Sequence, residues 1–261
     1  MPSRAVQTTQ PSLPRRGLAR VLSKRGVCSR SEAARWIAQG RVTVDGRIVR
    51  DPEFPVAGER PRIAVDGRII DTAERVYLML NKPRGLVTSA SDERQRDTIY
   101  RCLEGAGLPW VAPVGRLDKA SEGLLLLCND PEWAARITDP ATGPEKTYHV
   151  QVDAVPDAAL FASLEQGVDC DGERLRARSA TLLRAGTRNA WLEIVLDEGK
   201  NRQVRRMLEG LGVEVLRLVR VAIGGLALGH PGSGPEHALP KGHWRRLSDE
   251  EVAMLASPGK P

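Results

Sequence analysis

Apolar positions in residues 17–26 (GLARVLSKRG) recur at helical spacing. Leu18, Val21 and Leu22 share one face, Arg20, Lys24 and Arg25 lie off it, and Gly26 can end the helix. Residues 29–32 (SRSE) have the form of a capping box, in which Ser29 caps the backbone and Glu32 reaches back. A second helix is therefore predicted to about Gln39, with Ala33, Trp36 and Ile37 inward and a stop at Gly40. The period then falls to two. VTVDGRIV (42–49) and IAVDGRII (63–70) each set Asp-Gly between β-branched runs, the strongest short hairpin signal. Residues 17–70 thus read as a helix pair plus a small sheet, with a disordered tail at 1–16 and a linker at 71–75.

The pattern changes after the linker. VYLMLNKPRGLVT (76–88) reads as a strand, a Lys-Pro turn and a second strand, and a helix is predicted over 98–105. GLLLLCN (123–129) is a fully buried strand, Pro131 opens a helix to about Ile137, and KTYHVQVD (146–153) alternates as a strand. Pro156 opens a helix to about Gln166, AWLEIVL (190–196) is a strand, and a helix follows over 201–211. VEVLRLVRVAI (213–223) is extended, KGHWRRL (241–247) is the last strand, and Ser248 caps a closing helix. Strands in mixed order with scattered helices indicate an α+β fold with a mixed, largely antiparallel sheet. This second domain is taken as 76–255, followed by a disordered tail at 256–261.

The length suits two domains: the chain has 261 residues, 41% of them hydrophobic and 28% charged. No apolar run approaches the roughly 18 residues of a membrane span. Residues 1–16 lack the hydrophobic stretch of a secretory leader, so a cytoplasmic protein without a membrane partner is expected. Cys28, Cys102, Cys128 and Cys170 form no Cys-x-x-Cys, and no His pair has ligand spacing, which argues against zinc and against a disulfide framework. The net charge of +6 is unevenly spread. Residues 1–75 hold fifteen Lys and Arg against eight Asp and Glu, whereas the remaining 186 hold 24 against 25. Phosphate backbones reward such a basic front by counterion release, although a basic solubility surface would look the same by charge alone.

The sequence contains no P-loop, no dinucleotide fingerprint, no Gly-x-Ser-x-Gly elbow and no His-Glu-x-x-His. Asp169-x-Asp171-Gly172 lacks the later ligands of a calcium loop and reads as an Asp-Gly turn. Three features remain. In PVGRLDKASEGLLLL (113–127), Asp118 stands in a polar turn between Arg116 and Lys119, and nearby positive charge favours an ionised carboxylate. In LDEGKNRQVRRML (196–208), Lys200, Arg202, Arg205 and Arg206 crowd the start of a helix, where anions are favoured. Tyr148, at the start of a strand, could stack on a base. Taken singly, each also has a structural reading: an Arg–Asp lock in a turn, a solvated basic helix face, a core tyrosine.

Taken in order, Gly-Arg-Leu-Asp with SEGLLLL, then Lys146-Thr147-Tyr148, then EGKNRQVRRM resemble the bacterial ribosomal RNA pseudouridine synthases of the RsuA/Rlu type. The front domain resembles the S4 RNA-binding domain. Together the two resemblances span roughly residues 17–255, with Ser121 and Cys128 standing where Thr is common. They imply that specific uridines in ribosomal RNA are isomerised to pseudouridine without a cofactor or metal. Asp118 matches the catalytic nucleophile, and Arg116 the Arg that helps open the RNA. Tyr148 matches the ring that packs on the target base. Arg205 matches the basic partner of the aspartate, with Arg202 open as a shifted alternative. Lys24, Arg25, Arg30 and Arg35 in front, with Lys200 and Arg202 behind, are the candidate RNA-binding residues. EGKNRQVRRM leans toward large-subunit RNA, and a monomer is the default expectation. Two other readings are kept: a non-catalytic S4-type RNA-binding or ribosome-associated factor, and a hydrolase pairing Asp118 with His149. The second is disfavoured because His149 alternates to the strand face opposite Tyr148.

Overall fold

Asp-Gly turns and a buried leucine run organise the structure, a computed structural model that describes residues 16–56, 61–71, 73–89, 96–229 and 239–257. Most of the two expected tails, residues 1–15 and 258–261, lies outside those residues. The chain divides into two compact units, Met1–Glu74 and Arg75–Pro261.

The first unit runs β1 (Arg16–Gly17), α1 (Leu18–Lys24), α2 (Arg30–Ala38), β2 (Val42–Val44), β3 (Arg47–Val49), β4 (Pro55–Val56), β5 (Ile63–Val65) and β6 (Arg68–Ile69). Its four-stranded sheet has the order β3-β2-β5-β6. Both Asp-Gly hairpins form as read: Asp45 and Gly46, like Asp66 and Gly67, have positive φ, as a two-residue hairpin turn requires. Leu18, Leu22, Ala33 and Ile37 meet Val42 and Ile63 in one core. Only half of the expected capping box at α2 appears. Ser29 accepts the Glu32 N–H at 3.1 Å, but the Glu32 carboxylate is taken by Arg35 at 2.8 Å.

The second unit runs β7 (Tyr77–Lys82), a 3₁₀ turn at Ile99–Leu103, β8 (Ala112–Val114), β9 (Glu122–Cys128), α3 (Pro131–Thr138), β10 (Lys146–Val152) and α4 (Ala158–Gln166). It continues β11 (Val168–Cys170), β12 (Glu173–Leu175), β13 (Ser179–Ala185), β14 (Ala190–Leu196), α5 (Gln203–Gly210), β15 (Val215–Ile223), β16 (Leu226–Ala227), β17 (Trp244–Arg246) and α6 (Asp249–Ala256). The large mixed sheet has the order β13-β14-β10-β15-β9-β7-β17, with β16 on β15 and β8 on β9. Its ladders are antiparallel except for the β15–β9 seam. Along β9, Leu124 and Leu126 enter one hydrophobic cluster and Leu125 and Leu127 another, so alternation buries the whole run on both faces. Among the described residues, no helix is long and apolar enough to cross a membrane.

Three local expectations need correction. The helix expected over 98–105 is only the short 3₁₀ turn, which Gly105 and Gly107 follow with positive φ. The second strand expected after the Lys-Pro turn is a single bridge, Val87 to Thr98, because this segment braces a loop instead of a sheet. The helix after Pro156 starts at Ala158, capped by Asp157, whose side chain accepts the Leu160 N–H at 2.9 Å.

Candidate active site

The Asp118 turn is held by the last residue of β7 and the segment that follows it. Lys82 is fully buried and donates to three backbone carbonyls: Ser121 at 2.8 Å, Asp118 at 3.1 Å and Pro83 at 3.1 Å. The Thr88 hydroxyl donates to the Leu117 carbonyl at 2.7 Å, and the Gly85 N–H to the Lys119 carbonyl at 2.8 Å. The Ser121 N–H closes the turn on the Asp118 carbonyl at 3.0 Å. With its backbone fixed at so many points, the turn can present the Asp118 carboxylate in one place. Removing Lys82 strands three acceptors, one of them in a buried bond and two in part-buried ones, so Lys82→Met should destabilise the fold by about 2–4 kcal/mol.

Burial also lowers the Lys82 ammonium from 10.5 to about 8, against attraction from Asp118 and Glu122. Below about pH 8 this lysine is charged in both folded and unfolded chains and its effect is constant. Between about 8 and 10.5 the unfolded chain binds the extra proton, so the group makes stability rise with pH across that window. The buried thiols of Cys28 and Cys128, pushed up to about 12, act in the opposite sense above pH 9. Subtracting the Lys82→Met denaturation profile from that of the unsubstituted chain should isolate the rising limb. An identical pH slope in both would contradict the assignment.

Asp118 opens onto a cavity of about 390 Å³. Tyr148, Leu196, Val204 and Leu218 give it apolar walls, while Arg116, Asp118, Lys200 and Arg202 give it a polar side. Arg202 Nη1 lies 3.7 Å from Asp118 Oδ2. It reaches there from the residue before α5, in a left-handed conformation (φ 50°) that a non-glycine residue adopts only at a cost. The buried Gln203 holds this loop. Its amide donates to the Arg176 carbonyl at 3.0 Å and to Glu198 at 2.8 Å, and its oxygen accepts the Lys200 N–H at 3.1 Å.

The sequence-derived candidates separate at this point. Asp118, Arg116, Tyr148, Lys200 and Arg202 share the cavity. Of the two arginines considered as partners of Asp118, Arg202 makes the contact. Arg205 donates to the Val215 carbonyl at 3.3 Å, and its buried Nε has no partner among the described residues. Burial and then Arg202 lower the Arg205 guanidinium, while Asp118 pulls it back up, so Arg205 still feels the carboxylate. Lys200 is also shared by Glu198 at 3.2 Å and Glu173 at 3.4 Å. Arg206 is structural, bonded to Glu173 at 2.8 Å and to the Cys170 carbonyl at 2.9 Å. His149 pairs with Glu193 at 3.2 Å and is absent from the cavity lining, as strand alternation requires.

In the first unit, Arg30 and Arg35 are exposed on α2 and Lys24 is half-buried at the end of α1. The Arg25 guanidinium donates to the Ile70 carbonyl at 2.8 Å and the Pro61 carbonyl at 3.1 Å, which ties the end of α1 to the segments that flank the β5–β6 hairpin.

Sequence reasoning missed Lys82, Ser121, Glu122 and Arg220. Two of these were signalled by a charge interrupting an apolar run, Lys82 after YLMLN and Arg220 within VLRLVRVAI. Glu122, also buried, is bonded by Lys241 and by Arg217 at 3.2 Å; those bonds hold its carboxyl below the usual range despite the opposing effect of burial.

Comparison with known proteins gives a consistent result. The RNA pseudouridylate synthase family model matches residues 76–210, and the S4 domain model matches residues 16–60. Ribosomal large subunit pseudouridine synthase B of Bacillus subtilis (strain 168) is 34% identical over 241 residues, covering 91% of this chain and 94% of its own. An uncharacterized RNA pseudouridine synthase of Rickettsia prowazekii (strain Madrid E) is 37% identical over 234 residues, covering 89% and 94%. A crystal structure described as a pseudouridylate synthase aligns with a TM-score of 0.62 at 29% identity, over 92% of this chain and 99% of that one.

Proposed function

We propose, from the premise that this chain belongs to the RNA pseudouridylate synthase family and carries an S4 domain in front, that it converts specific uridines of ribosomal RNA with Asp118 as the nucleophile. The observation that carries this reading is the shared cavity: a carboxylate on a braced turn, the Arg202 guanidinium 3.7 Å from it, and the Tyr148 ring on the lining. The reaction needs little else. The N1–C1′ bond breaks, the uracil turns, and C5 bonds to C1′. C5 loses its proton and N1 gains one, so no group is transferred and no electron is exchanged.

C5 is out of reach in a folded RNA, so the nucleotide must leave its stack and enter the cavity. Tyr148 then faces the base, Asp118 drives glycosidic cleavage, and Arg202 balances the carboxylate. Arg116, Lys200 and Arg202, exposed on the cavity lining, are the cations available to the flanking phosphates. The names of the similar proteins from Bacillus subtilis and Haemophilus influenzae, both ribosomal large subunit pseudouridine synthase B, support large-subunit RNA as the substrate. Pseudouridine mapping of ribosomal RNA from cells with and without the gene should reveal at least one uridine modified only when the protein is present. Identical maps would remove the proposal.

The S4 domain is proposed as the RNA anchor, with Arg30, Arg35 and Lys24 toward the phosphates. Deleting residues 1–70 should weaken binding to ribosomal RNA by about tenfold or more at moderate salt. It should also flatten the dependence of log K on log salt by roughly one for each phosphate that is no longer neutralised. An unchanged salt slope in a filter-binding titration would assign the anchoring elsewhere.

A further inference from the structure

Two polar groups on the cavity lining are buried and have no partner among the described residues: Nη2 of Arg220 and the hydroxyl of Ser121. Arg220 is the more demanding case. It is 5% exposed on a strand whose only other charged residue, Arg217, reaches Glu122. A buried donor without an acceptor costs stability, so one on a cavity wall is a candidate for contact with whatever enters the cavity. The side chain is held in place, since Nε donates to the Leu124 carbonyl at 2.8 Å. Its position is held as well. Arg220 is the direct cross-strand partner of Tyr148 on β10, so the ring and the guanidinium project side by side from one face. On its other side Arg220 pairs with Gly123 across the parallel seam.

We propose that Arg220 binds the target nucleotide by donating from Nη2 to a carbonyl oxygen of the uracil. This rests on the synthase reading above. A base lying on the Tyr148 ring turns its edge toward the neighbouring residue on the adjacent strand, which is Arg220. A phosphate does not fit this position, because Arg116, Lys200 and Arg202 already offer cations on the more exposed lining while Arg220 is almost completely buried. Uracil offers two carbonyl oxygens flanking an N–H. If O4 is the acceptor, the contact also rejects cytosine, whose amino group at that position would meet donor with donor. Ser121 leaves a second hydrogen-bonding group for the same edge.

The test uses the full-length protein and a short RNA carrying a converted uridine, first located by carbodiimide primer extension on an unmodified large-subunit transcript. The target position holds uridine, 2-thiouridine or 4-thiouridine, because sulfur is a weak acceptor. Single-turnover release of C5 tritium is measured for the unsubstituted protein, Arg220→Met and Arg220→Lys. One thio substitution should slow the unsubstituted protein by about 10- to 100-fold. Arg220→Met should be slowed to a similar extent on uridine and should be indifferent to that same substitution. The arm that shows this identifies the oxygen. Penalties that multiply in both arms, or uridine conversion by Arg220→Met at the original rate, would overturn the proposal. Should Arg220→Met not fold, Arg220→Lys carries the same comparison, and it must lose most of the discrimination against the thio base. Failure of the synthase reading looks different: no RNA is converted at all, or Asp118→Asn converts it normally.

Discussion

Asp118→Asn should lose at least about a thousandfold in single-turnover pseudouridine formation while folding and binding RNA almost as before. Asparagine keeps the shape of the side chain and removes only its charge and its nucleophilic oxygen. The bonds that fix the turn are made by the backbone of Leu117, Asp118, Lys119 and Ser121, and none depends on the carboxylate. The ion pair removed among the described residues, to Arg202 at 3.7 Å, is between side chains 49% and 37% exposed, so solvent screening limits its worth to under about 1 kcal/mol. Stability and affinity should therefore stay within about 1 kcal/mol of the original, as read by denaturant titration and by filter binding. A variant that binds RNA and turns over normally would remove Asp118 from the chemistry. A variant that fails to fold would instead make Asp118 part of the structural lock that its turn first suggests.

Much of this was legible from local pattern, and the reasons differ by element. The Asp45-Gly46 and Asp66-Gly67 hairpins follow from backbone chemistry confined to two residues, and both form. The run of β9 reads as a strand buried on both faces because it is too short for a buried helix and is bounded by Gly123 and by Asn129-Asp130-Pro131. The candidate site was readable as a set of residues, since Asp118, Tyr148 and Arg202 lie in three motifs and meet in one cavity. Their pairing was not readable. Choosing between Arg202 and Arg205 depends on a left-handed residue ahead of α5 and on the buried Gln203 that pins the loop, and neither leaves a periodic trace. Lys82 escaped for a related reason: its three acceptors are backbone carbonyls 1, 36 and 39 residues away, and backbone carbonyls have no sequence identity. Arg25 reads as a surface cation because it lies off the apolar face of α1, whereas it also bonds the carbonyls of Pro61 and Ile70, which flank the β5–β6 hairpin far away in sequence.

Gly123→Ala should be the most damaging single-methyl change in the second unit, costing about 3–5 kcal/mol. Gly123 sits at φ 106°, where L side chains rarely go, on the one parallel seam of the large sheet. A Cβ there would lie 2.2 Å from the Arg220 carbonyl oxygen and 2.8 Å from the Arg220 nitrogen. Both atoms are backbone, so no side chain can swing away, and β15 must retreat from β9. That retreat strains the bonds on both sides of the seam: Arg220 Nε to Leu124, and Arg217 to the buried Glu122. It also shifts Arg220 relative to Tyr148, its cross-strand partner on β10. Loss of activity should accordingly exceed the loss of folded protein, and it should persist at temperatures where the variant is still native. Gly107→Ala is the control. It has φ 64° but open space around it, so it should cost only the roughly 1 kcal/mol of a left-handed alanine. Denaturant midpoints for the two variants, with single-turnover rates measured well below the transition, separate backbone strain from seam closure. Equal losses in the two would mean that the seam can open without penalty, and would leave the position of Arg220 unexplained by Gly123.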